Sequence, residues 1–118
     1  YLLMDDANAP SLLSLPYLGF CEPDDPRYLR TRAFCLSEHN PYFVRGIHAS
    51  GLGSPHTGPG TIWPMALVMQ ALTAIADEEI LGCLHDLVTT DAGTGFLHES
   101  FCADDPNVFT RPWFAWAN

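Results

Sequence analysis

The sequence predicts an all-α fold, and two adjacent stretches carry the prediction. From Ile62 to about Ala76, Trp63, Met65, Leu67, Met69, Leu72 and Ile75 place apolar groups almost all round a helix. Thr61 is placed to cap it, and Pro64 is tolerated in its first turn. After almost no loop, Asp77 caps a second helix with Glu78 and Glu79 in its first turn. Ile80, Cys83, Leu84, Leu87 and Val88 then form a single stripe at helical spacing. A helix buried on most sides followed by an amphipathic one is an αα-hairpin with an inner and an outer member. Repetition of that hairpin builds an all-α barrel or toroid.

The other elements follow in order. Asp6 or Asn8 can cap a short helix that accepts Pro10 in its first turn, turns Leu12, Leu13 and Leu15 inward, and is closed by Pro16 and Gly19. Capping accounts for one of Asp5 and Asp6; the other, with Asn8, is surplus polarity beside a hydrophobic element. Pro23 to Pro26 read as a turn and cap for a helix over Arg27 to Ser37, whose Arg27, Arg30 and Arg32 are expected on the surface. Glu38 to Gly60 reads as a long irregular connection, within which GLGSPHTGPG presents His56 from a rigid turn. Asp104 to Asn107 form another turn, and Thr110 starts a last helix with Arg111, Pro112 and Trp113. Its tryptophans and Phe114 suit either core packing or a sugar-stacking platform.

At 118 residues, with 47% apolar and 16% charged residues, the chain is the size of one small domain. Its formal charge of −9 and five basic residues leave no basic face for nucleic acid or an anionic membrane. No uninterrupted apolar run reaches the roughly eighteen residues of a membrane span. Tyr1 opens directly into an apolar pattern and Asn118 stops in what reads as a running helix, so the expectation is a stretch truncated at both ends. Cys21, Cys35, Cys83 and Cys102 stand singly, which gives no zinc pattern and makes reduced thiols the expectation.

The chemistry is expected in GTGFLHESF, Gly93 to Phe101. Gly93 and Gly95 shape a loop, and Phe96, Leu97 and Phe101 pack it down so that Glu99 enters a partly dry place. A carboxylate so placed suits a general base; a helix-terminal or ion-paired carboxylate is the other reading. The HExxH zinc motif fails because the residue four after His98 is Cys102, and neither a GxSxG elbow nor a phosphate loop is present. Carboxylates with aromatics, His and Arg on a helical toroid suit a glycoside hydrolase.

The strings MDDANAPSLLSLPYLGF, LSEHNPYF, GLGSPHTGPGTIWPMALVMQALT, GTGFLHESF and FTRPWFAWAN resemble successive blocks of glycoside hydrolase family 125, the exo-acting α-1,6-mannosidases. The resemblance covers nearly the whole chain. It implies that residues 1–118 are part of a single (α/α)6 catalytic domain, about its C-terminal half or less. It also implies an inverting exo-α-1,6-mannosidase that releases non-reducing terminal mannose from a glycan without a metal ion or other cofactor. Glu99 corresponds to the family's general base. Asp5, Asp6, Asn8, His56, Arg111 and Trp113 are the candidate sugar contacts. The family's general acid is expected upstream of the MDDAN block, so the stretch alone is expected to be inactive. A phosphorylase on a similar barrel and a catalytically silent carbohydrate-binding relative are the alternatives. A bacterial parent is expected in the cytoplasm, a fungal one on the secretory route.

Overall fold

The computed structural model describes residues 5–118. Their fold is mixed α/β, which corrects the all-α, (α/α)6 expectation: it has three α-helices and five short strands in two antiparallel sheets. Helix α1 spans Pro26–Cys35. Strands β1 (Phe43–Arg45) and β2 (Ser50–Leu52) form a hairpin inside the stretch expected to be irregular. Strand β3 (Thr61–Ile62) leads into α2 (Pro64–Leu72), and α3 (Asp77–Thr89) follows. Strands β4 (Ser100–Cys102) and β5 (Asp105–Thr110) complete a sheet of order β3-β4-β5.

The helix expected from Ile62 starts later because the sheet takes its first residues. Thr61 pairs with Cys102, Ile62 pairs with Phe101, and the Trp63 amide donates to the Leu52 carbonyl at 3.0 Å. Pro64, with no N–H to donate, is then a natural first helical residue. The helix expected from Thr110 is absent as well, since Val108, Phe109 and Thr110, β-branched and aromatic, end β5 instead. Nor do residues 10–20 make a helix; they wind through successive turns, in which the Leu18 amide reaches the Ser14 carbonyl at 3.0 Å.

The remaining helices lie close to where they were expected. Asp25 caps α1 by accepting from the Arg27 amide at 2.8 Å, while Ala76, at the N-cap of α3, leaves Asp77 to Glu79 in the first turn. Arg27 is an exposed surface residue as expected, but Arg32 is not: its guanidinium packs between Glu79 Oε1, at 2.9 Å, and the Gln70 carbonyl, at 3.0 Å, tying α1 to the α2–α3 hairpin. Of the stripe on α3, Cys83 and Leu87 are buried, whereas Leu84 and Val88 face outward with Leu81.

Two apolar clusters meet along α2. One gathers Ala7, Leu13, Leu52, Trp63, Ala66 and Phe114; the other gathers Ala49, Ile62, Leu67, Leu87, Phe101 and Ala103. Ile62 and Phe101 are completely buried, and a side chain of that size contributes roughly 1.5–3 kcal/mol on burial. Gly53 lies where the segments around both clusters converge. Its amide donates to the Tyr42 carbonyl at 2.8 Å and its carbonyl accepts from the Ala7 amide at 2.9 Å. A methyl group there would collide with the Thr61 carbonyl oxygen. Gly53→Ala is therefore expected to cost about 1–3 kcal/mol, read as a lower urea midpoint with an unchanged slope.

All four cysteines are free. Burial pushes the Cys35 thiol up to about 12 and the Cys83 thiol up to about 11. The thiolate is the reactive form. A thiol reagent at pH 8 is expected to leave these two cysteines unmodified until denaturant is added, and peptide mapping would check it.

Candidate active site

Glu99 is held by the register of the sheet. It lies one residue before β4, where Ser100 pairs with Thr110, and its own N–H is shared between the carbonyls of Thr110 (3.1 Å) and Arg111 (3.3 Å). The second of those bonds depends on Arg111 turning into the left-handed region, with φ of 46°. A non-glycine residue pays for that conformation, and such residues gather at functional sites. The Glu99 side chain is only 13% exposed. Its Oε2 accepts from the Thr110 hydroxyl at 3.0 Å, and its Oε1 faces Arg111 Nη1 at 3.4 Å. Because the Arg111 side chain is 68% exposed, that ion pair contributes little to stability and serves mainly to place charge.

The loop before Glu99 is built on His98, which is 1% exposed and stacked on Phe109 with ring centroids 3.9 Å apart. Its Nδ1 lies 3.0 Å from the Pro112 carbonyl and its Nε2 lies 3.1 Å from the Asp91 carbonyl. With one ring nitrogen within hydrogen-bond distance of a carbonyl from each loop, His98 lies between the loops on both sides of Glu99 without reaching the cleft. Asp91 shapes the first of those loops: its carboxylate accepts from the amides of Gly93 and Gly95, each at 3.0 Å, and both glycines adopt positive φ.

Glu99 opens onto a cleft of about 640 Å³. Asn8, His56, Arg111 and Trp113 line it together with Glu99, so five of the seven residues singled out in the sequence converge. Asp5 and Asp6 lie behind the wall. The Asp5 carboxylate accepts from the amides of Leu12 (3.1 Å) and Leu13 (3.4 Å) in the turns that stand where a helix capped by Asp6 or Asn8 was expected. Asp6 accepts from the Asn8 side-chain amide at 2.8 Å and from the Ser54 hydroxyl at 3.0 Å, which fixes Asn8 and ties it to the His56 turn.

Trp63, Phe114 and Trp116 also line the cleft. Trp63 was assigned to a helix interior. It lies instead just before α2, with its Nε1 donating to the Thr57 hydroxyl at 2.8 Å and its ring meeting Phe114 edge-on at 5.8 Å. Phe114 is buried while Trp113 and Trp116 are exposed, so the aromatic segment supplies both core and a stacking wall. The signal for Trp63 was its place directly after the β-branched pair Thr61 and Ile62. Among the described residues no group of three or more His, Cys, Asp or Glu side chains is placed to hold a metal, and no helix is long and apolar enough to cross a membrane.

The cleft gathers a carboxylate, an amide, an imidazole and a guanidinium together with two exposed indoles; in general such polar groups suit hydroxyls and such rings suit the apolar face of a sugar. The family follows from comparison with known proteins. The chain belongs to the metal-independent α-mannosidases of glycoside hydrolase family 125, whose model matches residues 1–118. It is 55% identical, over 99% of its length, to the meiotically up-regulated gene 157 protein of Schizosaccharomyces pombe, of which it spans 23%. It is also similar to a Streptococcus pneumoniae metal-independent α-mannosidase solved in a non-productive complex with α-1,6-mannobiose. The TM-score is 0.94 and the identity 54%, covering 97% of this chain and 27% of that one. The chain thus spans about a quarter of the length of these relatives.

The bonds from Gly93 and Gly95, in that order, hold the Asp91 carboxyl below its ordinary value of 3.8. A lowered value means that the stabilisation is complete above the ordinary range and is lost as the pH falls through the folded value. Hydrogen exchange at the Gly93 and Gly95 amides is expected to stay slow down to about pH 4 and to accelerate, after correction for intrinsic rates, under more acid conditions. Asp91→Ala should show the faster rate throughout.

Proposed function

We propose that residues 1–118 form part of a single catalytic domain of an inverting exo-α-1,6-mannosidase, contributing its general base and one wall of its sugar site. The placement of Glu99 carries the reading: a largely buried carboxylate with one oxygen fixed by Thr110 and the other turned toward Arg111 in an aromatic-walled cleft. Membership of an α-mannosidase family, and a relative solved with α-1,6-mannobiose, support mannose as the sugar.

In this mechanism Glu99 removes a proton from a water on the face of the sugar opposite the leaving group. A carboxylic acid from another part of the polypeptide protonates the glycosidic oxygen, about 6.5–9.5 Å from the base. Asn8, His56 and Arg111 bind sugar hydroxyls, Trp113 borders the ring, and Asp6 acts through Asn8. Asp5 supports the turn beneath them. No step calls on a metal ion.

The test is hydrolysis of α-1,6-mannobiose by the full-length parent, followed by NMR. The anomer released first is expected to be β-mannose. Glu99→Gln is expected to lower turnover by about 10²–10⁴-fold, the range of general acid–base contributions, with substrate affinity retained. α-Mannose as the first product, or turnover retained by the variant, would refute the assignment.

A further inference from the structure

Glu99 is bonded through a chain of hydroxyls rather than through one isolated group. Thr110 Oγ1 lies 3.0 Å from Glu99 Oε2 and 2.9 Å from Ser100 Oγ. Each hydroxyl has one proton to give. A carboxylate only accepts, so the Thr110 proton goes to Glu99 and the Ser100 proton goes to Thr110. Ser100 is completely buried, and its position opposite Thr110 is set by the β4–β5 register. The chain therefore has a fixed order, Ser100 to Thr110 to Oε2, with its far end closed to water.

The two carboxylate oxygens are made unequal by this arrangement. Oε2 is engaged from behind by the sheet, whereas Oε1 faces the exposed Arg111 guanidinium beside the cleft. We propose that Thr110, with its hydroxyl oriented by Ser100, is a positioning residue that reserves Oε1 as the proton-accepting oxygen and holds it toward the attacking water. This inference rests on the reading of Glu99 as general base. Loss of the Thr110 hydroxyl frees the carboxylate to turn about its last bond and exchange the two oxygens. The sugar contacts remain in place, so turnover suffers and substrate binding does not.

The experiment compares Thr110→Val, Thr110→Ser and Ser100→Ala in the full-length parent, with Glu99→Gln as control and circular dichroism as the check of folding. Thr110→Val, which keeps the shape and removes the hydroxyl, is expected to lower kcat by about ten- to a hundredfold with KM within about twofold, the scale of a misplaced reacting group. Thr110→Ser restores the hydroxyl and is expected to recover most of kcat. Ser100→Ala, which leaves Thr110 without its donor, is expected to lower kcat by a smaller factor.

Unchanged kcat in a folded Thr110→Val variant overturns the proposal. A rise in KM matching the fall in kcat, or no recovery with serine, shows a merely structural threonine and overturns it as well. If Thr110→Val does not fold, Ser100→Ala decides: wild-type kcat there removes the chain. Turnover retained by Glu99→Gln sinks the base assignment and this inference together. A silent Glu99→Gln beside an unaffected Thr110→Val sinks this inference alone.

Discussion

The pairing of Ser100 with Thr110 is the constraint on which the site depends. Because the two residues face each other across β4 and β5, Glu99 is delivered to the end of the sheet with its amide already occupied and its carboxylate beside the Thr110 hydroxyl. A shift of one residue would send every side chain of β4 to the opposite face. Phe101, completely buried between Ile62 and the α2 cluster, opposes that shift, because exposing it would forfeit one of the largest buried surfaces in the chain. The hydrophobic core thereby fixes the polar geometry at the end of the sheet.

The sequence singled out five residues that share one cleft and misjudged the scaffold, and the two outcomes have different physical causes. Gly93, Gly95 and the apolar residues around Glu99 signal a shaped, packed loop because glycine and burial leave local traces. Helices α1 and α3 were legible for a similar reason: each is long enough to show a period, and each carries acidic or proline punctuation at its start. Four of the five strands were missed because β3 has two residues and β1, β2 and β4 have three each, too short for alternation to stand out, while the Asp105, Pro106 and Asn107 that open β5 read as a turn. Their pairing depends on partners far away, such as Ile62 with Phe101, and nothing local announces it. Asp5 and Asp6 show a further limit: adjacent and alike in sequence, they are separated in role by which amides happen to face them.

Strain and support are closely associated around Glu99. Arg111 adopts a conformation that costs a non-glycine residue about 1–3 kcal/mol, and it is held there on both sides. The amide of Glu99 takes its carbonyl, while the next residue, Pro112, gives its own carbonyl to His98. Since His98 is also stacked on Phe109 of β5, the bend after the strand is fixed by the strand itself. The guanidinium is presented to the cleft by the backbone rather than by burial of its side chain, which suits a cation that must meet both Glu99 and solvent.

Asn118 makes the last of these attachments. Its side-chain amide imitates a peptide group, accepting from the Leu97 amide at 2.9 Å and donating to the Leu97 carbonyl at 2.8 Å, with a further bond of 2.9 Å to the Phe114 carbonyl. Everything from the carboxylate through β4, β5 and the strained arginine to the indole wall is thus enclosed between Leu97 and Asn118. The result is a lariat tied by Asn118 together with the Phe114 amide, which donates to the same Leu97 carbonyl at 3.1 Å, and its far end is moored where Asp104 accepts from the Ile47 amide. The entropic cost of such closure grows only logarithmically with length, so changes at the far turn disturb the knot little. Glu99 and the aromatic segment that follows Arg111 are therefore one noose of chain, not two jaws free to part.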